Sequence, residues 1–269
     1  MKRILITFGG SAYEATVGAT VEDHKRFGAD ECRVYDDVWL RAHPFYELNR
    51  WLFELPGVRG LCWFAWKPLI IMDALERFAS DGDVVLFIDG DTHPIADMTP
   101  LFDRCVADGG QMLFAAQGCS NRQWVKDDCW VVMSACHTYY GRPSVELDTQ
   151  AGVARFMLFQ KGPWHVKQFL AEWLTYCLNP LATTFDKSRI GDYYDETSVE
   201  AEGFCEHRTE QAIMTLLAHK YGFKLYREAC AFGNDELAKF GTDSFYGQVF
   251  EQVYGAGPRN NEGSRYRNV

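Results

Sequence analysis

Val84-Val85-Leu86-Phe87-Ile88-Asp89-Gly90-Asp91 is a run of five apolar residues that ends in two aspartates around a glycine. Preceded by the turn-forming stretch Ser80-Asp81-Gly82-Asp83, the run reads as a strand buried on both faces. If strand geometry continues, Asp89 and Asp91 share a face, because side chains two residues apart point the same way. Open α/β sheets bind ligands outside the carboxyl ends of their strands, and the acidic pair falls at such an end. The plainer alternative is that the aspartates only cap the turn before Thr92-His93-Pro94, with His93 an ordinary polar loop residue.

On either side of this stretch the pattern alternates between periods. Strands are predicted at residues 4–8 and 32–35 with a helix at 16–27 between them, and a helix at 68–78 leads into the acidic strand. After it come a helix near 101–106, strands near 112–116, 130–133 and 153–159, and helices over 164–178 and 210–219. That order predicts an α/β fold with a mostly parallel central sheet flanked by helices. Residues 179–205, with Gly191-Asp192-Tyr193-Tyr194-Asp195-Glu196, read as a long functional loop. Residues 1–254 are expected to form one catalytic domain and 255–269, rich in glycine and polar residues, a flexible tail. No internal repeat is present.

The chain has 269 residues and a formal net charge of -10, enough length for a large core and the wrong charge for a nucleic-acid binder. Nine cysteines without a C-x-x-C pair indicate neither a disulfide framework nor a zinc ribbon, so a reducing cytoplasm is expected. The opening Met1-Lys2-Arg3-Ile4-Leu5-Ile6-Thr7-Phe8 has too short an apolar run for a signal-peptide core or a membrane span. Peripheral association with a membrane stays compatible with this, and the oligomeric state is left open.

The acidic strand resembles the D-x-D strand of GT-A glycosyltransferases. More specific is Gly60-Leu61-Cys62-Trp63-Phe64-Ala65-Trp66-Lys67-Pro68, similar to a G-x-x-Y/W-x-x-W-K-P segment of bacterial surface-glycan glycosyltransferases, where the D-x-D strand also follows one helix later. Trp124-Val125-Lys126-Asp127-Asp128 resembles the K-x-D segment of that group, Asp148-Thr149-Gln150-Ala151-Gly152 its sugar-pocket segment, and His207-Arg208-Thr209-Glu210-Gln211 its H-x-x-D-Q segment with glutamate in place of aspartate. These matches follow one another in order over roughly residues 1–225, and their joint occurrence is more informative than any one of them.

The resemblance implies a GT-A-like fold and transfer of a sugar from a nucleotide donor, a uridine diphosphate sugar, to a glycan or glycolipid acceptor. It implies a divalent ion, Mn²⁺ or Mg²⁺, at Asp89 and Asp91, with Asp91 a direct ligand and Asp89 contacting the ribose or the ion's water shell. It places Thr7, Phe8, Trp66, Lys67, Asp89, Gly90, Asp91, Gln150, Ala151 and Gly152 at the donor, and Glu210, Gln211, Asp127 and Asp128 as candidates at the reacting groups, with retention of anomeric configuration. Each has a bland counterpart: tryptophans at 63 and 66 packed in the core, a snorkelling Lys67, a solvated hairpin at 127–128, and a helix cap at Glu210. A third metal ligand from a late histidine is missing, since none follows His219, whereas Arg259, Arg265 and Arg267 stand in the tail.

Two other functions fit parts of the pattern. A strand followed by Asp89-Gly90-Asp91 resembles the first motif of haloacid dehalogenase-type phosphatases, although here it begins almost ninety residues in and no phosphate-binding lysine is obvious. A non-catalytic carbohydrate-binding protein would use the 15% aromatic content for stacking.

Overall fold

The computed structural model describes residues 1–9, 14–58, 60–90, 92–94, 96–138, 147–185, 200–229 and 254–256. Asp91, the Gly191-to-Glu196 stretch and the tail arginines Arg259, Arg265 and Arg267 lie outside the described residues.

The chain opens with β1 (Arg3–Phe8), α1 (Glu14–Arg26) and β2 (Glu31–Tyr35), then three short helices, α2 (Asp37–Ala42), α3 (Pro44–Leu48) and α4 (Arg50–Phe53). Next come α5 (Trp66–Arg77), β3 (Val84–Asp89), β4 (Thr92–Pro94), α6 (Thr99–Ala107), β5 (Gln111–Ser120), α7 (Asn121–Trp124) and α8 (Asp127–Thr138). The remainder is β6 (Gln150–Gln160), α9 (Trp164–Cys177), α10 (Pro180–Thr183), α11 (Thr209–Lys220), β7 (Leu225–Tyr226) and β8 (Tyr254–Ala256).

The central sheet has the order β2-β1-β3-β6-β5-β7. Strand β1 is parallel to β2 and β3, and β5 to β7, while β6 runs antiparallel between β3 and β5. The predicted α/β sheet is therefore present with one reversed strand inside it. As a result the carboxyl ends of β1, β3 and β5 and the amino end of β6 share one edge. At that edge β4 pairs with β8, Thr92 opposite Ala256, so a strand late in the chain lies just beyond the acidic turn, across the 254/255 boundary read from the sequence.

Both faces of the sheet are covered, which is why β3 is apolar throughout. Val85 and Phe87 join the core beneath α5, α9 and α11, while Val84, Leu86 and Ile88 join the core beneath α6. All five are fully buried, each contributing roughly 1.5–3 kcal/mol of apolar burial. The alternation of period two carries Asp89 to the α5 side.

Residues 130–133 are helical, not a strand. Asp127 and Asp128 occupy the first turn of α8, where acidic side chains favour the positive helix end, and Cys129 and Met133, one turn apart, are the buried positions. The helices of residues 37–53 were not anticipated, although their caps are written in the sequence. Asp36 accepts from Trp39 N–H, and His43 accepts from Phe45 N–H ahead of Pro44. The long loop expected from residue 179 starts with the short helix α10, capped by Asn179.

Between Gly60 and α5 the backbone turns left-handed at three consecutive non-glycine residues, Cys62, Trp63 and Phe64, with φ of 54°, 54° and 59°. Each such residue costs roughly 1–2 kcal/mol. Burial offsets this: Trp63 is 2% exposed and its indole N–H donates to the Leu52 carbonyl at 3.1 Å. Gly60, itself at φ 64°, has the Phe64 ring against it where a Cβ would stand, 2.2 Å from the ring's far carbon. The turn delivers Trp66 and Lys67 to the first turn of α5.

Candidate active site

Lys67 is the centre of the shared edge. Its side chain is 7% exposed, and its ammonium lies 3.1 Å from Glu210 Oε1 and 3.4 Å from Asp89 Oδ1 while donating to the Ala154 carbonyl at 3.0 Å. The rings of Phe64, Trp66 and Phe87 surround it at 5.4 Å, 5.8 Å and 5.6 Å. Burial alone would push the Lys67 ammonium down, but the adjacent Asp89 and Glu210 carboxylates outweigh it and hold the group above its usual value. Lys67 is thus a cation enclosed by protein, not a chain end presented to solvent.

Glu210 is buried beside it and held from three sides. Thr209 donates its hydroxyl to Glu210 Oε2 at 2.6 Å, Lys67 takes Oε1, and the indole of Trp173 donates to the Glu210 carbonyl at 2.8 Å. Thr209 stands at φ 41°, an unfavourable conformation for a β-branched residue. Non-glycine left-handed residues among those described occur only here and at 62–64, so they flank the two ends of one ion pair. Asp89 is different, with 35% of its side chain exposed at the sheet edge.

Helix α11 is bound lengthwise to β6. Ala154 N–H donates to Gln211 Oε1 at 3.4 Å, Gly152 N–H to Thr215 Oγ1 at 3.0 Å, and His219 Nε2 meets the Gln150 carbonyl at 2.6 Å. Four-residue steps of a helix, about 6 Å, match two-residue steps of a strand, about 6.6 Å, so the three bonds form in register. Ala151 and Gly152 are buried under this contact, and a Cβ at Gly152 would lie 2.9 Å from Thr215 Oγ1. Gln150 spends its amide N–H groups on the carbonyls of Ala116 and Cys119 at 2.6 Å and 3.0 Å, bracing an irregularity in β5.

On the other side of Asp89, Phe8 stacks on Trp66 at 4.1 Å. Thr7 is fully buried, and among the described residues its hydroxyl has no hydrogen-bond partner, nor has the buried indole N–H of Trp66. Gly90 is pinned by helix α1: Thr20 donates to its carbonyl at 3.0 Å, and a Cβ there would meet Val17 at 3.2 Å. The absence of a side chain lets α1 close on the acidic turn.

Asp127 and Asp128 belong to a second polar cluster. Asp128 is fully buried with Lys126 Nζ 3.9 Å away, and that ammonium donates to Thr184 at 3.2 Å. The Asp127 N–H donates to Glu200 at 2.8 Å, and burial, with the charges of Glu200 and Asp128, pushes the Asp127 carboxyl above its usual range. His207 joins this cluster to the segment before α11, accepting from Lys126 N–H and meeting the Ala182 carbonyl at 2.8 Å. The Cys177 thiol is fully buried, and burial, then the nearby Glu210 carboxylate, raises it above its usual value.

Of the residues named from the sequence, the structure therefore gathers Phe8, Trp66, Lys67, Asp89, Gly90, Glu210 and Gln211 around one edge. Gln150, Ala151 and Gly152 lie further along β6, and Asp127 and Asp128 sit in the neighbouring cluster. Trp63 is a core anchor. Thr209, the Ala154 carbonyl, Thr20 and His207 were missed; of these His207 and Thr209 had a sequence signal, their place in the segment before Glu210. Among the described residues no group of three or more His, Cys, Asp or Glu side chains is placed to hold a metal ion, and no helix is long and apolar enough to cross a membrane. A hollow of about 650 Å³ lies between α5 and α9 near Asp81 and Gly162, at the opposite end of β3.

No family model matches the chain, and no curated protein matches it in sequence. Solved structures do. An active-site mutant of LgtC superposes with a TM-score of 0.51 at 14% identity over 94% of this chain and 86% of that one. The galactosyltransferase LgtC with donor and acceptor sugar analogues gives 0.45 at 16% over the same shares. The apo glycosyltransferase GlyE of Streptococcus pneumoniae TIGR4 gives 0.44 at 13% over 95% of this chain. This chain spans 54% of the length of GlyE and 39% of that of the bifunctional glycosyltransferase WbbM. The fold is GT-A-like α/β, as in LgtC, and the structures it resembles are glycosyltransferases.

Proposed function

We propose that this protein is a metal-dependent glycosyltransferase that moves a sugar from a nucleotide sugar, a uridine diphosphate sugar, to a glycan or glycolipid acceptor. The observation that carries the reading is the meeting of Lys67, Asp89 and Glu210, from three separate motif-like segments, at the carboxyl edge of the sheet. A structural ion pair has no need of that edge, of a third, half-open carboxylate, or of strained backbone on both flanks. No observation favours the phosphatase or the non-catalytic reading.

Hard oxygen donors suit Mn²⁺ or Mg²⁺, which are commonly held by one or two carboxylates with substrate phosphates and water completing the shell. The open Asp89 carboxylate fits that donor set, and Asp91 is the proposed direct ligand. When bound, the ion supplies charge neutralisation for the departing diphosphate.

The chain's own residues do the rest. Lys67 holds the Asp89 and Glu210 carboxylates fixed in direction; Glu210 positions the transferred sugar, and Gln211 lies beside its reacting carbon. The bond that breaks joins the anomeric carbon to the diphosphate oxygen, whose electron pair leaves with the nucleotide. The acceptor hydroxyl oxygen forms the new bond on the same face and passes its proton to the departing diphosphate oxygen. Among the described residues Gln211 Oε1 is engaged only by a long bond to Ala154 N–H, so its carbonyl can turn toward developing positive charge. Asp127 and Asp128 serve the acceptor side, and Thr7 and Phe8 the base.

The test is a thermal-shift panel of nucleotide sugars with and without Mn²⁺, followed by mass detection of nucleotide diphosphate release. A metal-dependent rise in melting temperature with uridine diphosphate sugars is expected. No rise with any nucleotide sugar, or release of phosphate from simple phosphomonoesters, rejects the reading.

A further inference from the structure

Beyond Gln150, where β5 passes into α7, an open cleft of about 490 Å³ is lined by Ser120, Arg122, Gln123, Asp148 and Thr149, with Gly203 closing one side. The volume falls in the range of roughly 300–1,000 Å³ usual for small-ligand sites. It lies on the same edge as Lys67. Gln150 is four residues along β6 from Ala154, whose carbonyl receives the Lys67 ammonium, so the two places are about 13 Å apart along the strand. One sugar ring cannot fill both.

The chemistry of the lining is selective. Arg122 grips Asp148 by two parallel bonds of 2.6 Å and 2.7 Å, which cancels the charge of each. An anion gains little from an arginine already neutralised, and the side chains named in the lining are polar. A polyol suits it. The guanidinium keeps further N–H donors and the carboxylate further lone pairs in one plane, beside the hydroxyls of Ser120 and Thr149 and the amide of Gln123. Asn121, between two lining residues, is buried behind the cleft and donates its side-chain amide to the Thr149 hydroxyl at 2.8 Å, which fixes that hydroxyl in place.

The cleft is also built rigidly. Ser120 and Gln123 form a reciprocal helix cap, Asn121 and Arg122 donate backbone N–H groups to Thr149 and Leu147 carbonyls, and Gln150 ties down Ala116 and Cys119. The side formed by Gly203 is fastened through Cys205 N–H to the Gln123 carbonyl and through Arg208 over the Trp124 ring at 4.3 Å, two residues before Glu210. Such preorganisation lowers the cost of ordering on binding.

We infer that this cleft is a distal acceptor subsite, which binds a neutral sugar unit of the acceptor one or more units away from the reacting hydroxyl. The inference rests on the transfer reading given above, and it makes the preferred acceptor an oligosaccharide.

The probes are maltotetraose, cellotetraose, chitotetraose and lacto-N-tetraose with their monosaccharides, inorganic phosphate as the anion, and uridine diphosphate with Mn²⁺. Each is titrated into the full chain, Arg122→Ala and Asp148→Asn, with folding checked by circular dichroism. At least one tetrasaccharide is expected to bind, about tenfold more tightly than its monosaccharide, and to lose about tenfold or more in both variants while nucleotide affinity stays within about twofold. Binding of none of the four, binding unchanged in both variants, or a preference for phosphate overturns the subsite. A wild-type chain that binds a tetrasaccharide but no uridine diphosphate keeps the glycan cleft and rejects the nucleotide-sugar reading instead.

Discussion

The Lys67 ammonium and the Glu210 carboxylate lie 3.1 Å apart with both side chains more than nine-tenths buried, and Asp89 extends the pair to the surface. Ions that deep are costly unless each is matched, so the three groups depend on one another. The arrangement converts a hidden charge into a fixed direction for an exposed one.

Removing the cation should expose that dependence. Lys67→Met leaves Glu210 uncompensated and is expected to cost about 3–5 kcal/mol in urea unfolding. The double variant Lys67→Met/Glu210→Met should recover part of the loss. A single variant as stable as wild type would show that the pair does not hold this edge.

Charge at the acidic turn should matter more for one aspartate than for the other. Asp91→Asn is expected to remove most Mn²⁺-dependent nucleotide affinity with the fold preserved, and Asp89→Asn to weaken it less. Titration of uridine diphosphate with and without Mn²⁺ checks this; unchanged affinity in Asp91→Asn would remove the metal assignment.

Retention is expected for the transfer. The anomeric configuration of the first product from an α-linked donor, read by NMR, should be α, with Gln211→Ala strongly impaired. A β-linked product, with activity lost in Glu210→Gln and kept in Gln211→Ala, would make Glu210 the general base of an inverting enzyme.

Asp127 gives a pH-dependent contrast. Burial, and then Glu200 and Asp128, raise its carboxyl in the folded state above the ordinary aspartate value of 3.8, so the folded chain binds this proton more tightly than the unfolded chain. That stabilisation is complete below pH 3.8 and is lost as pH rises through the folded value. At pH 7 Asp127→Asn should therefore be more stable than wild type, with the difference shrinking on acidification toward pH 4. A less stable Asn variant at pH 7 would show that the negative charge is matched in the cluster.

Thr215→Val tests the bond between α11 and β6. Thr215 Oγ1 accepts from the Gly152 N–H and donates to the Gln211 carbonyl, and valine leaves the buried N–H without an acceptor. A loss of about 1–3 kcal/mol is expected in urea unfolding, largely restored by Thr215→Ser.

Much of this was legible in the sequence because its signals are local. The buried strand at 84–88 and its acidic end, the amphipathic stretch of α9 and the basic position 67 before Pro68 each declare themselves within a few residues. What was not legible depends on distance. Nothing near Val153 says that β6 runs backwards between β3 and β5, since a strand buried on both faces reads the same in either direction. The run Trp130-Val131-Val132-Met133 looks like a strand until Cys129 and Met133 turn the same way under α10. That Lys67 would meet Glu210, 143 positions later, is likewise invisible near either residue.

The left-handed turn at Cys62, Trp63 and Phe64 bears on how this chain tolerates change in length. It connects Gly60 to α5, and each residue added or removed there would rotate the start of that helix by about 100°. Position 67 would then swing out of line with the Ala154 carbonyl and with both carboxylates, however conservative the inserted residue. Variation in this segment is therefore expected as substitution at constant length, and a deletion scan across 60–66 should be far more damaging than an alanine scan of the same residues.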